Sequence, residues 1–183
     1  MTSRVGETTV AESITGTARP IVQYGTNPVL HEPCAEVTSF DADLAALVAD
    51  MFASMYAANG VGLAANQIGV GLRVFVFDCP DETDENVVGH VVNPVLHLPE
   101  APRELDEDEE GCLSVLGQHS DLVRSAVASV TGVDLTGQPV RIDGTGMLAR
   151  CLQHEVDHLD GTVYVDRLAA KRRRKLLAAA GLE

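Results

Sequence analysis

The sequence predicts an α+β fold with a mostly antiparallel sheet, and three observations carry that prediction. Two stretches, Leu44 to Tyr56 and Met147 to Leu159, repeat apolar residues at helical spacing. Short valine-rich runs bounded by Gly, Pro and Asn lie between them. The strands cluster between helices instead of alternating with them, so the crossover helices of a parallel sheet are missing.

Each element has its own signal. Met1 to Arg19 is polar and reads as a loose arm, and Ile21 to Val37 as loop broken by Gly25, Pro28 and Pro33. Ser39 or Asp41 offers an N-cap to a first helix. Leu44, Leu47, Val48, Met51, Phe52, Met55 and Tyr56 then share one face, until Asn59-Gly60 stops the helix. That face reads as core. Gly60 to Gly71 is punctuated by glycines. Leu72 to Cys79 is a strand with both faces covered, because Val74 and Val76 alternate with Phe75 and Phe77. Val87 to Leu98 is a second strand region, interrupted at Asn93-Pro94.

Asp106 to Glu110 reads as an acidic loop leading into Gly111-Cys112-Leu113-Ser114. Ala126 to Asp143 is a hairpin turning at Thr136-Gly137-Gln138. Gly144 and Gly146 precede the second helix, which Gly161 closes. Asp166 is placed to cap a third, C-terminal helix. The domain expectation is an N-terminal arm at 1–20, one catalytic domain at 21–168 and a basic helical tail at 169–183.

Composition narrows the function. With 183 residues and a mean hydropathy of +0.07, the chain is long enough to bury a core as one domain. No apolar run approaches the ~18–20 residues of a membrane span. The polar, Thr- and Ser-rich start lacks the apolar stretch of a secretory signal, so the expected compartment is the cytoplasm. The net charge of −14, from 27 acids and 13 bases, disfavours DNA and general nucleic-acid binding. Trp is absent and aromatics are 4%, which disfavours a stacking platform. The imbalance is local: 11 acids and one base lie between Asp81 and Glu110, and six bases and no acid between Arg167 and Lys175. Cys34, Cys79, Cys112 and Cys151 form no paired motif and read as reduced thiols, one of which can carry chemistry.

The strongest local signal is His154-Glu155-Val156-Asp157-His158. On a helix, residues four apart share a face, so His154 and His158 can point two imidazoles at one metal ion. Glu155 can reach a metal-bound water without ligating the ion itself. A catalytic metal needs a third protein ligand and an open position. Downstream the chain offers none in register: Tyr164 stands where one peptidase class has a third His, and only Asp160, Asp166 and Glu183 follow as acids. The third ligand is therefore expected upstream. Cys112, beside Gly111 at the end of its loop, is the best candidate. Cys34, Cys79 and Cys151 read as buried core thiols, although Cys151 lies three residues before His154. His31, His90, His97 and His119 are rivals with no motif around them. A further signal is Gly60-Val61-Gly62-Leu63-Ala64-Ala65-Asn66-Gln67. It lacks a phosphate-loop ending, and its glycines allow a backbone to approach a ligand closely. By itself the segment also reads as a tight helix-to-strand turn.

GVGLAANQ, EGCLS and QHEVDH occur in one order, and in that order they resemble the three signature motifs of the peptide deformylases. Gly60, Gly62, Leu63, Ala64, Ala65 and Gln67 match the first, Glu110 to Ser114 the second, and His154, Glu155 and His158 the third. The resemblance runs from about Ile21 to Leu168, and Arg-rich, Lys-poor usage suits the actinobacteria-like enzymes. It implies the deformylase α+β fold, antiparallel strands packed around a central HExxH helix, with N- and C-terminal helices. It implies removal of the formyl group from the N-terminal formyl-methionine of new polypeptides, releasing formate. It implies one divalent metal ion, natively Fe²⁺, with Zn²⁺, Ni²⁺ or Co²⁺ also accepted, held by Cys112, His154 and His158. Glu155 would be general base and acid toward the metal-bound water. Gln67 and the Leu113 N–H would stabilise the oxyanion. Gly60, Val61, Gly62, Glu110, Gly111 and Arg124 would border the substrate.

The chain departs from the family where Leu116-Gly117 replaces a proline after Val115, and where Gln118 to Val123 carries no aromatic or extra basic residue. The basic tail, with Arg167, Lys171, Arg174 and Lys175 on one expected helical face, suggests a ribosome dock. An HExxH zinc peptidase and an inactive metal-binding relative are the alternatives. The retained Glu155 and Gln67 count against the second, because a purely structural site needs neither.

Overall fold

The computed structural model describes residues 15–182. Most of the expected arm, residues 1–14, lies outside the described residues. Its last part is tied down: the Thr17 N–H donates to Asp50 Oδ1 at 2.7 Å, and the Arg19 guanidinium pairs with Asp50 Oδ2 at 2.6 Å.

The first helix, α1 (Ala42–Ala57), starts at Asp41, whose carboxylate accepts from the Asp43 and Leu44 N–H groups at 3.1 Å. This capping satisfies donors that a helix start leaves open. Seven strands follow: β1 (Gly62–Ala64), β2 (Val74–Pro80), β3 (Asn86–His97), β4 (Leu105–Cys112), β5 (Val115–Ser125), β6 (Val127–Val133) and β7 (Pro139–Thr145). Helices α2 (Gly146–Leu159) and α3 (Ala170–Ala180) complete the chain. Five strands form an antiparallel sheet in the order β1-β2-β3-β6-β7, and β4 and β5 form a separate hairpin.

Both faces of β2 are covered, as its valine–phenylalanine alternation predicts. Val74 and Val76 pack with α1 through Leu47, Met51 and Met55, whereas Phe75 and Phe77 pack with α2 through Leu148, Leu152 and Leu159. All four β2 residues are fully buried, and each such side chain stabilises the fold by roughly 1.5–3 kcal/mol. The interruption expected at Asn93 is a bulge in β3. Asn93 takes φ +50° there, and its side-chain amide holds both backbone groups of Val37 at 2.8 and 2.9 Å.

Two expectations fail. Asp106 to Glu110 is not a loop but most of β4, paired residue by residue with β5. Asp166 does not cap α3. It lies in a short 3-10 turn, Tyr164–Arg167, where its Oδ2 accepts from the Val163 N–H at 3.0 Å. Arg167 therefore leaves the basic helix and pairs with Asp157.

Candidate metal centre

Helix α2 lies across the sheet with Leu148, Leu152, Val156 and Leu159 buried. That face fixes its rotation, and the rotation turns His154 and His158 toward the β4–β5 turn. The two Nε2 atoms lie 3.2 Å apart, and Cys112 Sγ lies 3.2 Å from His158 Nε2. Among the described residues these three form the group able to hold a metal ion, with ligand atoms within 4.8 Å of one another. Ligands about 2.0–2.3 Å from a shared ion need that closeness. A soft thiolate with two imidazoles suits a borderline transition metal such as Zn²⁺ or Fe²⁺.

The turn that carries Cys112 is pinned from outside the hairpin. The Tyr24 N–H donates to Ser114 O at 2.8 Å, and Gln23 Nε2 donates to Leu113 O at 3.1 Å. Ser114 N–H and Gln67 Nε2 approach the sulfur at 3.4 and 3.6 Å and help to fix its position. Gln67 is held in turn, since its Oε1 accepts from the Ala64 N–H at 2.9 Å.

Behind His154 lies a buried chain of charge. His154 Nδ1 is 2.7 Å from Glu110 Oε1, an arrangement that orients a ligating imidazole and leaves Nε2 free. Arg124 grips Glu110 with Nη2 and Nε at 2.6 and 3.1 Å and reaches Asp157 with Nη1 at 2.7 Å. Arg167 closes on the other side of Asp157 with two bonds of 2.5 Å. Arg150 bonds to Glu110, Asp106 and the Leu122 carbonyl. Burial alone would raise the Glu110 pKa, but the bonds from His154 and Arg124 hold it well below the usual carboxylate range. Burial, then the neighbouring His154, pushes His158 down and keeps it neutral, as a ligand must be.

Glu155 stands outside this network of charge pairs. It is 3% exposed, and its Oε2 has no hydrogen-bond partner. Burial raises its pKa to about 7. Gly62 makes room for it: a Cβ there would collide with Glu155 Oε1 and stand 2.8 Å from Cys151 Sγ. Glu155 lines an open cavity of about 840 Å³, together with Gly60, Val61, Gly62, Gln67, Gly111, Cys112, Leu113 and His154.

One expected site residue sits elsewhere, and another is in place with its carboxylate already engaged. Arg124, expected near the substrate entrance, does not line the cavity and is buried beneath it. Glu110 lines the cavity, but its carboxylate is taken up by Arg124, Arg150 and His154. The rival ligands do not join the centre. His31 accepts from the Gly25 N–H, His90 from the Leu135 N–H, and His97 bonds to Thr131. Cys34, Cys79 and Cys151 are buried core thiols, as expected. Asp157 and Arg167 escaped sequence reasoning. The available signal was an acid inside the helical motif, facing a core that offers it no solvent.

A thiol and two imidazoles converging beside a buried, unpartnered carboxylate define a site of the mononuclear metallohydrolase class. The polypeptide deformylase family model matches residues 18–174, and the chain belongs to that family. It is 56% identical to peptide deformylase 2 of Streptomyces coelicolor over 162 residues, covering 88% of this chain and 89% of the relative. It is 57% identical to peptide deformylase 2 of Streptomyces avermitilis, covering 90% and 87%. Among solved structures, the peptide deformylase of Legionella pneumophila superposes with a TM-score of 0.80 at 39% identity, covering 90% of this chain and 94% of that one. The Ehrlichia chaffeensis enzyme in complex with actinonin gives 0.81 at 36%, covering 89% and 95%.

Proposed function

We propose that this protein removes the N-formyl group from the formyl-methionine of newly made polypeptides. The observation that carries the reading is the convergence of Cys112, His154 and His158 beside Glu155 at the floor of an open cavity. A closed structural site would need no such carboxylate, and an endopeptidase reading has no support from the family match. We assign Cys112, His154 and His158 as the residues that would hold a divalent ion, natively Fe²⁺, with Zn²⁺, Ni²⁺ or Co²⁺ as substitutes. Such an ion supplies Lewis acidity and brings the pKa of water from 15.7 to about 7.

The remaining steps belong to the chain's own groups. Glu155 Oε2 takes the proton of the attacking water as its oxygen bonds to the formyl carbon. Gln67 Nε2 and the Leu113 N–H, fixed by Ala64 and Gln23, donate to the developing oxyanion. Glu155 then returns the proton to the methionine nitrogen as the C–N bond breaks, leaving formate and a free amine. Gly60, Val61, Gly62 and Gly111 border the peptide.

Formate release from formyl-Met-Ala, with an unformylated peptide as control, tests the reading. Cleavage of the control without formate release would replace it with a peptidase. Among the described residues no helix is long and apolar enough to cross a membrane, and we place the reaction in the cytoplasm. We further propose that Lys171, Arg174 and Lys175, exposed on α3, dock on ribosomal RNA. A chain ending at Leu168 should co-sediment less with ribosomes at low salt. Unchanged sedimentation returns these residues to plain surface.

A further inference from the structure

Among the described residues, three buried side-chain polar atoms have no hydrogen-bond partner. The chemistry above uses one of them, Glu155 Oε2. The other two are His158 Nδ1 and Asn66 Oδ1. Both residues are fully buried, and they already touch. Asn66 Nδ2 donates to the His158 carbonyl at 2.5 Å and to the Val29 carbonyl at 3.4 Å. Those acceptors fix which way the amide faces, because its own oxygen has no proton to offer a carbonyl. One pair of touching residues therefore holds one unused donor and one unused acceptor. His158 turns its Nε2 toward Cys112 Sγ and His154 Nε2, both at 3.2 Å. A neutral ring that ligates through Nε2 carries its proton on Nδ1. A ligating histidine almost always gives that proton to an oxygen, and a buried donor left without one is costly. For His154 the oxygen belongs to Glu110. Among the described residues no carboxylate does the same for His158.

We propose that Asn66 is the positioning residue of His158: its Oδ1 accepts the Nδ1–H of the ligating ring, directly or across one buried water, and so fixes the tautomer and direction of that ring. The inference rests on the assignment of Cys112, His154 and His158 as metal ligands, and it makes no use of the substrate. The backbone around Asn66 suits such a role. It lies in the 3-10 turn Ala65–Ile68, whose four residues are all buried and which Gly69 closes at φ +84°. The next residue in that turn, Gln67, serves the other wall, with Nε2 3.3 Å from Ser114 Oγ and 3.6 Å from Cys112 Sγ. One short turn thus reaches the sulfur ligand through Gln67 and the second imidazole through Asn66. The two imidazoles are held unequally. A carboxylate backs His154 and adds negative charge behind the ring, whereas a neutral amide backs His158 and supplies direction alone.

The test measures zinc affinity by competition with a chelator, on the native chain and two variants. Asn66→Leu removes both the amide donor to the His158 carbonyl and the acceptor for its ring. Asn66→Asp removes the donor and keeps an oxygen acceptor. Zinc binding should weaken about tenfold or more in Asn66→Leu, within the usual range for a group behind a ligand, and no more than about threefold in Asn66→Asp. Both variants lose the same backbone contact, so a role confined to holding the end of α2 would weaken them equally, and that result overturns the proposal. Unchanged affinity in Asn66→Leu overturns it too. A crystal structure of the zinc-loaded native chain decides the matter without any variant. Asn66 Oδ1 within about 3.2 Å of His158 Nδ1, or both atoms on one water, supports the assignment, and any other acceptor for Nδ1 overturns it. A native chain that binds no zinc would remove the ligand assignment itself, and the role of Asn66 with it.

Discussion

Helix α2 and the β4–β5 hairpin supply the two halves of one centre, but different forces hold them. Helix α2 is fixed by apolar burial, with Leu148, Leu152 and Leu159 no more than 1% exposed against the sheet. The hairpin shows solvent much of its apolar surface: Leu105 is 60% and Val123 48% exposed. It is tied to α2 by Arg150, and by Arg124 bridging Glu110 to Asp157, with the Arg124–Glu110 pair 4% exposed on each side. Apolar packing degrades gradually when one group is trimmed. A buried charge clamp does not, because removing one partner strands the other in low dielectric. The two histidines thus rest on a robust support and the cysteine on a conditional one.

The largest effects should separate chemistry on the helix from holding on the hairpin. Glu155→Gln should keep its metal and lose roughly 100- to 10,000-fold in turnover, because an amide cannot accept the proton. Cys112→Ser should lose metal and activity together, since a hydroxyl is a poor ligand for a soft site. Metal analysis beside a formate assay distinguishes the two. Metal loss in Cys151→Ser with retention in Cys112→Ser would refute the assignment of the third ligand.

Next in size is the clamp. Glu110→Gln keeps the shape but weakens the hold on His154 and leaves Arg124 and Arg150 short of a charge partner. Metal affinity should fall about 10- to 100-fold, the usual range for such a supporting group. Competition with a chelator reads this directly, and an unchanged affinity would mean the hairpin is not held through Glu110. On the helix side, Leu152→Ala should cost about 2–5 kcal/mol of stability, and the metal-loaded site should survive in the molecules that remain folded. Arg141→Met breaks a pair whose side chains are 58% and 69% exposed. It should leave the melting temperature almost unchanged, because solvent screens an exposed pair, whereas Arg150→Met should cost roughly 1–3 kcal/mol by leaving buried acceptors unpaired. Equal melting shifts for the two arginines would contradict the idea of a clamp.

The same contrast explains what the sequence revealed. Helices α1 and α2, strand β2 and the β6–β7 hairpin were legible because apolar periodicity builds them, and periodicity is local. Strand β4 was not. Asp106 to Glu110 is rich in residues depleted from strands and has no apolar alternation, and its support comes from Arg124 and Arg150, 14 and 40 residues further along. The motif residues Cys112, His154 and His158 are brought together, yet spacing alone could not choose Cys112 over Cys151. That choice is made by the turn pinned at Leu113 and Ser114, a tertiary contact. Arg124 was misplaced for the same reason. Its partners Glu110 and Asp157 lie 14 and 33 residues away, so nothing local to Arg124 shows that it is buried and paired.

The smallest expected effect lies in the sheet, away from both supports. His90 on β3 is half-buried, and its Nε2 accepts from the Leu135 N–H at 3.2 Å, which requires the neutral ring. Burial lowers its pKa, against a smaller opposing pull from Asp134. In the unfolded chain the ring titrates near its ordinary pKa of about 6.5. Below that pH the unfolded state binds more protons than the folded one, so the stability that neutral His90 contributes is present above it and is lost as the pH falls. His90→Gln keeps an oxygen to accept from Leu135 and removes the titration. Melting temperatures measured between about pH 7.5 and 5.5, a window spanning that value, should therefore fall more steeply for the native chain than for the variant. Parallel curves would show that His90 binds a proton equally well in both states, and that this corner of the sheet adds nothing to the acid sensitivity of the molecule.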